Sequence, residues 1–326
     1  MSMRGINYDV GTRTGPFLSR PVFDAAQTRD DLTVIRDRLH CDAVRVSGTG
    51  LERLLTATEI ALDLGLDVWL SPHLHDAGPA ETLANTRRCA AAAQSLGSPK
   101  VTYLLGGELT LFMRGIMPGD TLFERLRPHR MLRLRYLGRH NRPLNAFLAE
   151  AARAVRQVFT GPVSYASAPI ERVDWSPFDV VCVDYYRGKR NRDDYGERLR
   201  RHFAPGKPVV VTEVGCCTYR GAQDKGGIAW AVVDPRDPDR LARPLVRDEE
   251  LQAAEVLDML GILERRGVAG AFVFTFAAPA LPHRPDPARD LDLASYGVVR
   301  CYDDGHWEPK RLFDALAERN ARQGGS

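Results

Sequence analysis

Lys207-Pro208-Val209-Val210-Val211-Thr212-Glu213-Val214-Gly215 is a short β-branched run with a Gly206-Lys207 turn before it and a carboxylate at its far end. Such a run, apolar on both faces, reads as a buried strand of a parallel sheet covered by helices. A charged side chain directly beyond a buried strand is costly unless it is paired or used. In an α/β barrel, that end of the strand lies on the catalytic face. What Glu213 faces is therefore the question from which the rest of the chain is read.

Seven further runs have the same character: Met3 to Val10, Ala43 to Ser47, Asp67 to Ser71, Val101 to Leu105, Pro162 to Ala166, Phe178 to Tyr185 and Gly270 to Phe276. Helix-like stretches separate them, around Thr28–Leu39, Leu51–Leu64, Ala80–Leu96, Leu144–Phe159, Asp193–Phe203 and Asp248–Arg266, and a last one runs from Pro309 to Ala321. The connection before the sixth strand is punctuated by prolines and carries little helix. Alternating β and α units predict a parallel sheet, and eight of them closed on themselves predict a (β/α)8 TIM barrel. A doubly wound open sheet would carry a glycine-rich phosphate turn after strand one. That place holds Asn7-Tyr8-Asp9-Val10-Gly11 instead. With no internal repeat and no low-complexity linker, residues 1–326 read as one domain. Loops of about 111–143 and 215–246 follow strands four and seven, and a proline-rich one, Ala277 to Asp292, follows strand eight. Long loops on one barrel face are expected to form the rim or lid of a site.

Composition limits the function. The 45 basic and 42 acidic residues leave a net charge of +3, which is no nucleic-acid-binding balance. No apolar run approaches the ~18 residues of a membrane span, and Met1 to Asp9 has no apolar signal core. The six cysteines form no CxxC pair, so reduced thiols and a cytoplasmic protein are expected. Adjacent Cys216-Cys217 reads either as a redox pair or as small apolar residues lining a loop. The arginines of the strand-four loop (Arg114, Arg125, Arg127, Arg130, Arg133, Arg135, Arg139 and Arg142) form either an anion-binding patch or a solvated helical face over Leu126, Met131, Leu134 and Leu137.

Strand four ends in Gly106-Gly107-Glu108, so Glu108 occupies the same kind of position as Glu213 on the opposite side of the barrel mouth. Two carboxylates meeting there suit acid/base and nucleophilic work on a glycosidic bond, provided one holds a proton and the other does not. This arrangement resembles the retaining glycoside hydrolases of clan A. The resemblance implies Glu108 as general acid/base and Glu213 as nucleophile, with no cofactor. It further implies Arg45, near the end of strand two, as a site residue. It implies Tyr185 or Tyr186, beside Asp184 after strand six, as the tyrosine that steers the nucleophile. Phe276 would be the aromatic floor after strand eight, where tryptophan is usual. One departure is Gly107, where the clan has an asparagine that grips a sugar hydroxyl.

Other candidate substrate contacts are Asn7 and Asp9 after strand one, His73 and His75 after strand three, and Trp230 in the strand-seven loop. A His-x-His with a nearby acid also has metal-ligand flavour, but no second cluster repeats the spacing, and no metal is expected. The partner expected is a small molecule or oligosaccharide, with neither nucleic acid nor membrane; the sequence leaves the oligomeric state open. Three other readings stay open. They are carboxylates that serve proton transfer in an isomerase, lyase or cyclase on a non-carbohydrate, a barrel that only binds a sugar or acts in phage defence, and a metal-dependent isomerase or hydrolase. The tail, from Ala294 through Lys310, is expected to brace the barrel wall.

Overall fold

The computed structural model describes residues 1–127, 129–131 and 138–324. Eight parallel strands close into a barrel: β1 (Met3–Asp9), β2 (Ala43–Gly48), β3 (Asp67–Pro72), β4 (Val101–Gly107), β5 (Val163–Ser167), β6 (Val181–Asp184), β7 (Val209–Val214) and β8 (Gly270–Val273). Closure is made by β1, whose Met3–Ile6 pair with Gly270–Val273 and whose Gly5–Asp9 pair with Ala43–Ser47. The main covering helices are α1 (Ala25–Asp37), α2 (Leu51–Asp63), α3 (Pro79–Ser95), α4 (Asn141–Arg156), α5 (Glu249–Arg265) and α6 (Arg311–Gly324). Before β6 the connection is irregular, as its prolines predict. The expected helix at Asp193–Phe203 is a single turn, Tyr195–Arg198, tightening into a 3₁₀ segment, Leu199–Phe203.

Local chemistry sets the helix starts. The Asp24 carboxylate accepts from the Gln27 amide and starts α1 three residues earlier than the apolar pattern alone suggests. The Asp248 carboxylate does the same for the Leu251 amide at α5, with Glu249 and Glu250 in the first turn and Arg265 in the last, as the helix dipole favours.

Two apolar layers result. The larger lies between strands and helices. The smaller fills the barrel's interior with Ala43, Trp69, Leu104, Ala166, Cys182, Val210 and Phe272. Gly5 makes room for this plug, because a Cβ there would meet the Phe272 ring at 2.3 Å. Strand side chains alternate, so residues two further on share the inward face. They are Arg45, Ser71, Asp184 and Thr212, joined by Asn7, and all are buried. The barrel is thus apolar at its base and polar at the C-terminal mouth.

The strands bearing the glutamates carry register shifts beside them. Val183 pairs with Val211 and Asp184 with Glu213, so Thr212 is an extra residue. This bulge puts the Thr212 and Glu213 side chains on the same side although they are consecutive. In β4 the register shifts between Leu104 and Gly107, with Gly106 at φ +113°, which only glycine adopts easily.

The tail braces the wall as expected. A hairpin of Val299–Cys301 and Trp307–Pro309 places Trp307 Nε1 2.9 Å from Asp31, whose other oxygen accepts from Tyr8. Lys310, fully buried, pairs with Asp292 at 2.7 Å, and Arg247 ties Asp292 to Asp290. The loops after β7 and β8 are fastened together by this cluster.

The arginines of the strand-four loop divide. Arg125 is neither an anion site nor a solvated charge. Its buried guanidinium binds Asp76 and the carbonyls of Leu111 and Gly119, folding the loop around itself. Arg114, Arg127, Arg139 and Arg142 are exposed, whereas Arg133, Arg135, Leu134 and Leu137 lie outside the described residues. Among the described residues, no helix is long and apolar enough to cross a membrane.

Candidate active site

Glu213 is held at both oxygens. Arg45 Nη1 donates to Oε1 at 2.7 Å and the Tyr186 hydroxyl donates to Oε2 at 2.8 Å. The Glu213 side chain keeps 16% of its surface exposed while Arg45 keeps 1%, so the carboxylate opens to the mouth and its cation does not. Arg45 is braced in turn by Asn7 Oδ1, the Thr212 carbonyl and Ser71 Oγ, at 3.2 to 3.3 Å. Burial, reinforced by the neighbouring carboxylate, pushes the Tyr186 phenol well above its usual range, so it remains a donor.

Asp184 sits behind this pair. Thr212 Oγ1 donates to its Oδ1 at 2.7 Å and Arg45 stands 3.7 Å from the same oxygen, but Oδ2 is buried with no partner. Burial first, then the Glu213 charge, raises the Asp184 carboxyl well above the usual range. Asn7 donates to the carbonyls of Thr212 and Val273, so it closes the barrel at the β1–β7–β8 seam as well as bracing Arg45.

Glu108 ends β4 in a left-handed conformation, φ 47°, ψ 41°, with its amide donating to the Ala166 carbonyl at 2.8 Å. Burial raises its carboxyl well above the usual range. Asp184, Glu213 and Glu171 add to the effect in that order, and Arg45 opposes it. One buried arginine faces several carboxyls, so they cannot all ionise. The surroundings of Glu108 thus favour its protonated form, while Glu213 opposite is held by a cation and a phenol.

The other candidate residues divide. His73 joins the mouth, with Nε2 3.3 Å from Ser71 Oγ. Gly107 faces inward beside it: a Cβ there would stand 3.2 Å from Arg45 Nη2 and 3.4 Å from His73 Cε1. Burial holds His73 well below its usual range, so it is a neutral imidazole. His75 turns aside, stacked on Phe112 at 4.0 Å and bonded to Thr14, with its pKa lowered to about 3 by burial. Asp9 turns its carboxylate onto the Gly11 amide and Thr12 hydroxyl, capping its own loop.

The Tyr185 side chain is not brought to the Glu213 carboxylate, because strand alternation sends it outward to pack tilted against Tyr195, whose carbonyl its hydroxyl meets at 2.8 Å. Phe276 is likewise not at the mouth, being buried between Tyr8 and Trp307. The half-buried aromatic there is Phe274, edge-on to Tyr186 and Tyr296. It shares the parity of the inward-pointing Phe272, but so does Phe276, and because the strand ends at Val273 the sequence alone does not separate them. Tyr296, whose hydroxyl accepts from the Ala229 amide and donates to the Gly226 carbonyl, had no parity signal. Trp230 sits partly exposed beside Ala229 on that tethered loop.

Among the described residues, no three His, Cys, Asp or Glu side chains are grouped so as to hold a metal ion. All six cysteines are free and buried. Burial pushes Cys216 up to about 12 and Cys217 further, with Cys217 Sγ against the Ala294 carbonyl. They line the loop as packing groups, because so little thiolate forms.

No protein-family model matches the chain, and no curated protein matches its sequence. Solved structures do match its shape. A GH113 β-1,4-mannanase shares 13% identity over 98% of both chains with a TM-score of 0.62. The GH113 β-mannanase AaManA from Alicyclobacillus acidocaldarius, solved in complex with ManMIm, shares 16% over 98% of this chain and 97% of its own, at 0.64. A fungal β-1,4-galactanase shares 12% over 98% and 99%, at 0.56. At these identities the likeness is one of fold, and the chain is built on the same eight-stranded barrel as these glycoside hydrolases.

Proposed function

We propose that the protein is a glycosidase that acts on a small glycoside or oligosaccharide by retaining double displacement. Glu213 is the nucleophile and Glu108 the general acid/base. The observation that carries this reading is the electrical asymmetry of the two strand-end glutamates. Glu213 is gripped by Arg45 and Tyr186. Glu108 sits where burial and like charges keep its proton on. In the first step Glu213 attacks the anomeric carbon while Glu108 gives its proton to the departing oxygen. In the second, Glu108 takes a proton from the water that cleaves the glycosyl ester, and Glu213 leaves as carboxylate. Tyr186 and Arg45 hold the Glu213 oxygens in line for attack. His73 and Phe274 offer a neutral hydrogen-bonding group and an apolar floor to the sugar. The loops after β4, β7 and β8 form the rim of this one-domain barrel.

The test is turnover of a panel of aryl glycosides, followed by trapping with a 2-fluoro glycoside of the best substrate. The expected outcome is a single glycosyl adduct on Glu213 and loss of turnover in Glu213→Gln. Full turnover by that variant defeats the reading. Gly107 favours a second one: without the asparagine amide, hydroxyl recognition beside the anomeric carbon is poorer, and the carboxyl pair suits proton transfer on a non-carbohydrate. Hydrolysis of none of the glycosides supports this alternative.

A further inference from the structure

Glu171, on the loop after β5, is buried and takes part in no salt bridge among the described residues. Every group it meets is a donor. Its Oε1 accepts from the Thr110 amide at 2.9 Å, its Oε2 accepts from the Ala168 amide at 2.9 Å, and the Tyr165 hydroxyl lies within 3.0 Å of both oxygens. The Tyr165 oxygen in turn accepts from the Leu109 amide at 2.6 Å. Leu109 and Thr110 are the two residues directly after Glu108, so this network holds the turn in which Glu108 adopts its left-handed backbone. A non-glycine residue stays in that region only when its surroundings determine it, at a cost of roughly 1 kcal/mol or more. The loop is itself fastened on both flanks: His140 Nε2 meets the Ile170 carbonyl at 2.9 Å, and the Arg172 amide donates to Asn141 Oδ1 at 2.7 Å.

We propose that Glu171 is a positioning residue for Glu108, tying down the turn that presents the acid and adding its carboxyl to those whose charge the acid feels. Burial raises the Glu171 carboxyl above its usual range, and the three donors around it, with no acceptor among them, oppose that rise and favour the acceptor-only ionised form. The other charged or titratable groups facing Glu108 are Asp184 on β6, Glu213 on β7 and Arg45 on β2. Asp184 and Glu213 are flanked by Arg45, whereas among the described residues no cation pairs with Glu171. The role as a device for acid catalysis rests on the glycosidase reading; the physical link between Glu171 and Glu108 does not.

The test is a carboxyl-carbon NMR titration of Glu108, assigned by its disappearance in Glu108→Gln, in wild type, Glu171→Gln and Tyr165→Phe. In Glu171→Gln the Glu108 midpoint is expected to fall by about one pH unit. In Tyr165→Phe, which keeps the charge, the midpoint is expected to move by less than half as much, while Leu109 amide exchange accelerates at least 10-fold. An unmoved midpoint in Glu171→Gln, or unchanged Leu109 exchange in Tyr165→Phe, overturns the proposal. If Glu171→Gln does not fold, the exchange result decides. In parallel, alkyl glycosides, which need a strong acid, are expected to lose at least 10-fold more kcat than dinitrophenyl glycosides in Glu171→Gln. Equal losses would mean mere structural damage and count against the proposal. If the wild type cleaves neither, the glycosidase reading fails while the titration still judges Glu171.

Discussion

Replacing Arg45 with methionine puts the electrostatics of the mouth to a direct test. The side chain is 1% exposed, makes an ion pair with Glu213 at 2.7 Å and stands 3.7 Å from Asp184. It also satisfies Asn7 Oδ1, the Thr212 carbonyl and Ser71 Oγ. At an effective dielectric near 20, the Glu213 contact corresponds to roughly 6 kcal/mol of gross Coulomb attraction, while Asp184, raised well above the carboxylate range, adds less. Much of this offsets the desolvation of the guanidinium, and breaking a buried pair typically costs about 3–5 kcal/mol net.

The loss should also depend on pH. Glu108 and Asp184 already lie well above the carboxylate range, and Arg45 opposes the rise in both. Without it they are pushed further up. The folded variant then holds protons that the unfolded chain releases above pH ~4.5, so its stability is fullest below that point and falls as pH rises toward the folded values. Urea denaturation of wild type and Arg45→Met at pH 5 and pH 8 is the assay. A loss of about 3–5 kcal/mol at pH 8 and a smaller one at pH 5 is expected. A deficit under about 1 kcal/mol, or one equal at both pH values, would refute the view that a single arginine compensates this carboxyl cluster.

Other measurements probe separate parts of the molecule. Tyr186→Phe removes one charge-assisted hydrogen bond from Glu213, worth about 1.5–3 kcal/mol, so kcat on any competent glycoside should fall roughly 10- to 150-fold with the fold intact by circular dichroism. Glu108→Gln removes a carboxyl that folding holds protonated. Its stability relative to wild type should therefore rise between pH 5 and pH 8, and a thermal melt showing no pH-dependent gain would contradict the raised Glu108 value. Lys310→Met strands Asp292 without one of its cations in the cluster behind β8, and should cost about 3–5 kcal/mol in urea denaturation. A thiol reagent at pH 8 should modify none of the six cysteines until denaturant is added; rapid reaction at Cys216 would contradict its burial.

The period of apolar runs was enough to read the strands, since each is buried on both faces and bounded by turns or helices. Glu108 and Glu213 were singled out in the same way, each a charge just beyond an apolar run, whereas Arg45 and Asp184 came from the resemblance to clan A. Parity would have assigned Tyr186 rather than Tyr185 to the mouth, but it cannot separate Phe274 from Phe276, which both share it with Phe272; the strand ends at Val273 and only the folded backbone parts the two rings. The same parity fails at Glu213, which shares a face with Thr212 only because β7 bulges against β6. Arg125 illustrates the opposite difficulty, since a loop arginine among many gives no sign that it will be buried beneath its own loop.

Sequence alone determined the barrel, because hydrophobic periodicity and turn chemistry are local properties that survive without knowledge of neighbours. It also determined that carboxylates would end strands four and seven, because strand order places those ends on one face. Only the tertiary structure decided how the surroundings of the two differ. That depends on Arg45 from β2, Asp184 from β6 and Glu171 from the loop after β5, groups up to 168 residues away from Glu213 or Glu108 along the chain and brought within Coulomb range by closure. Burial and through-space charge set proton affinity, and neither is written in the neighbouring residues of the sequence.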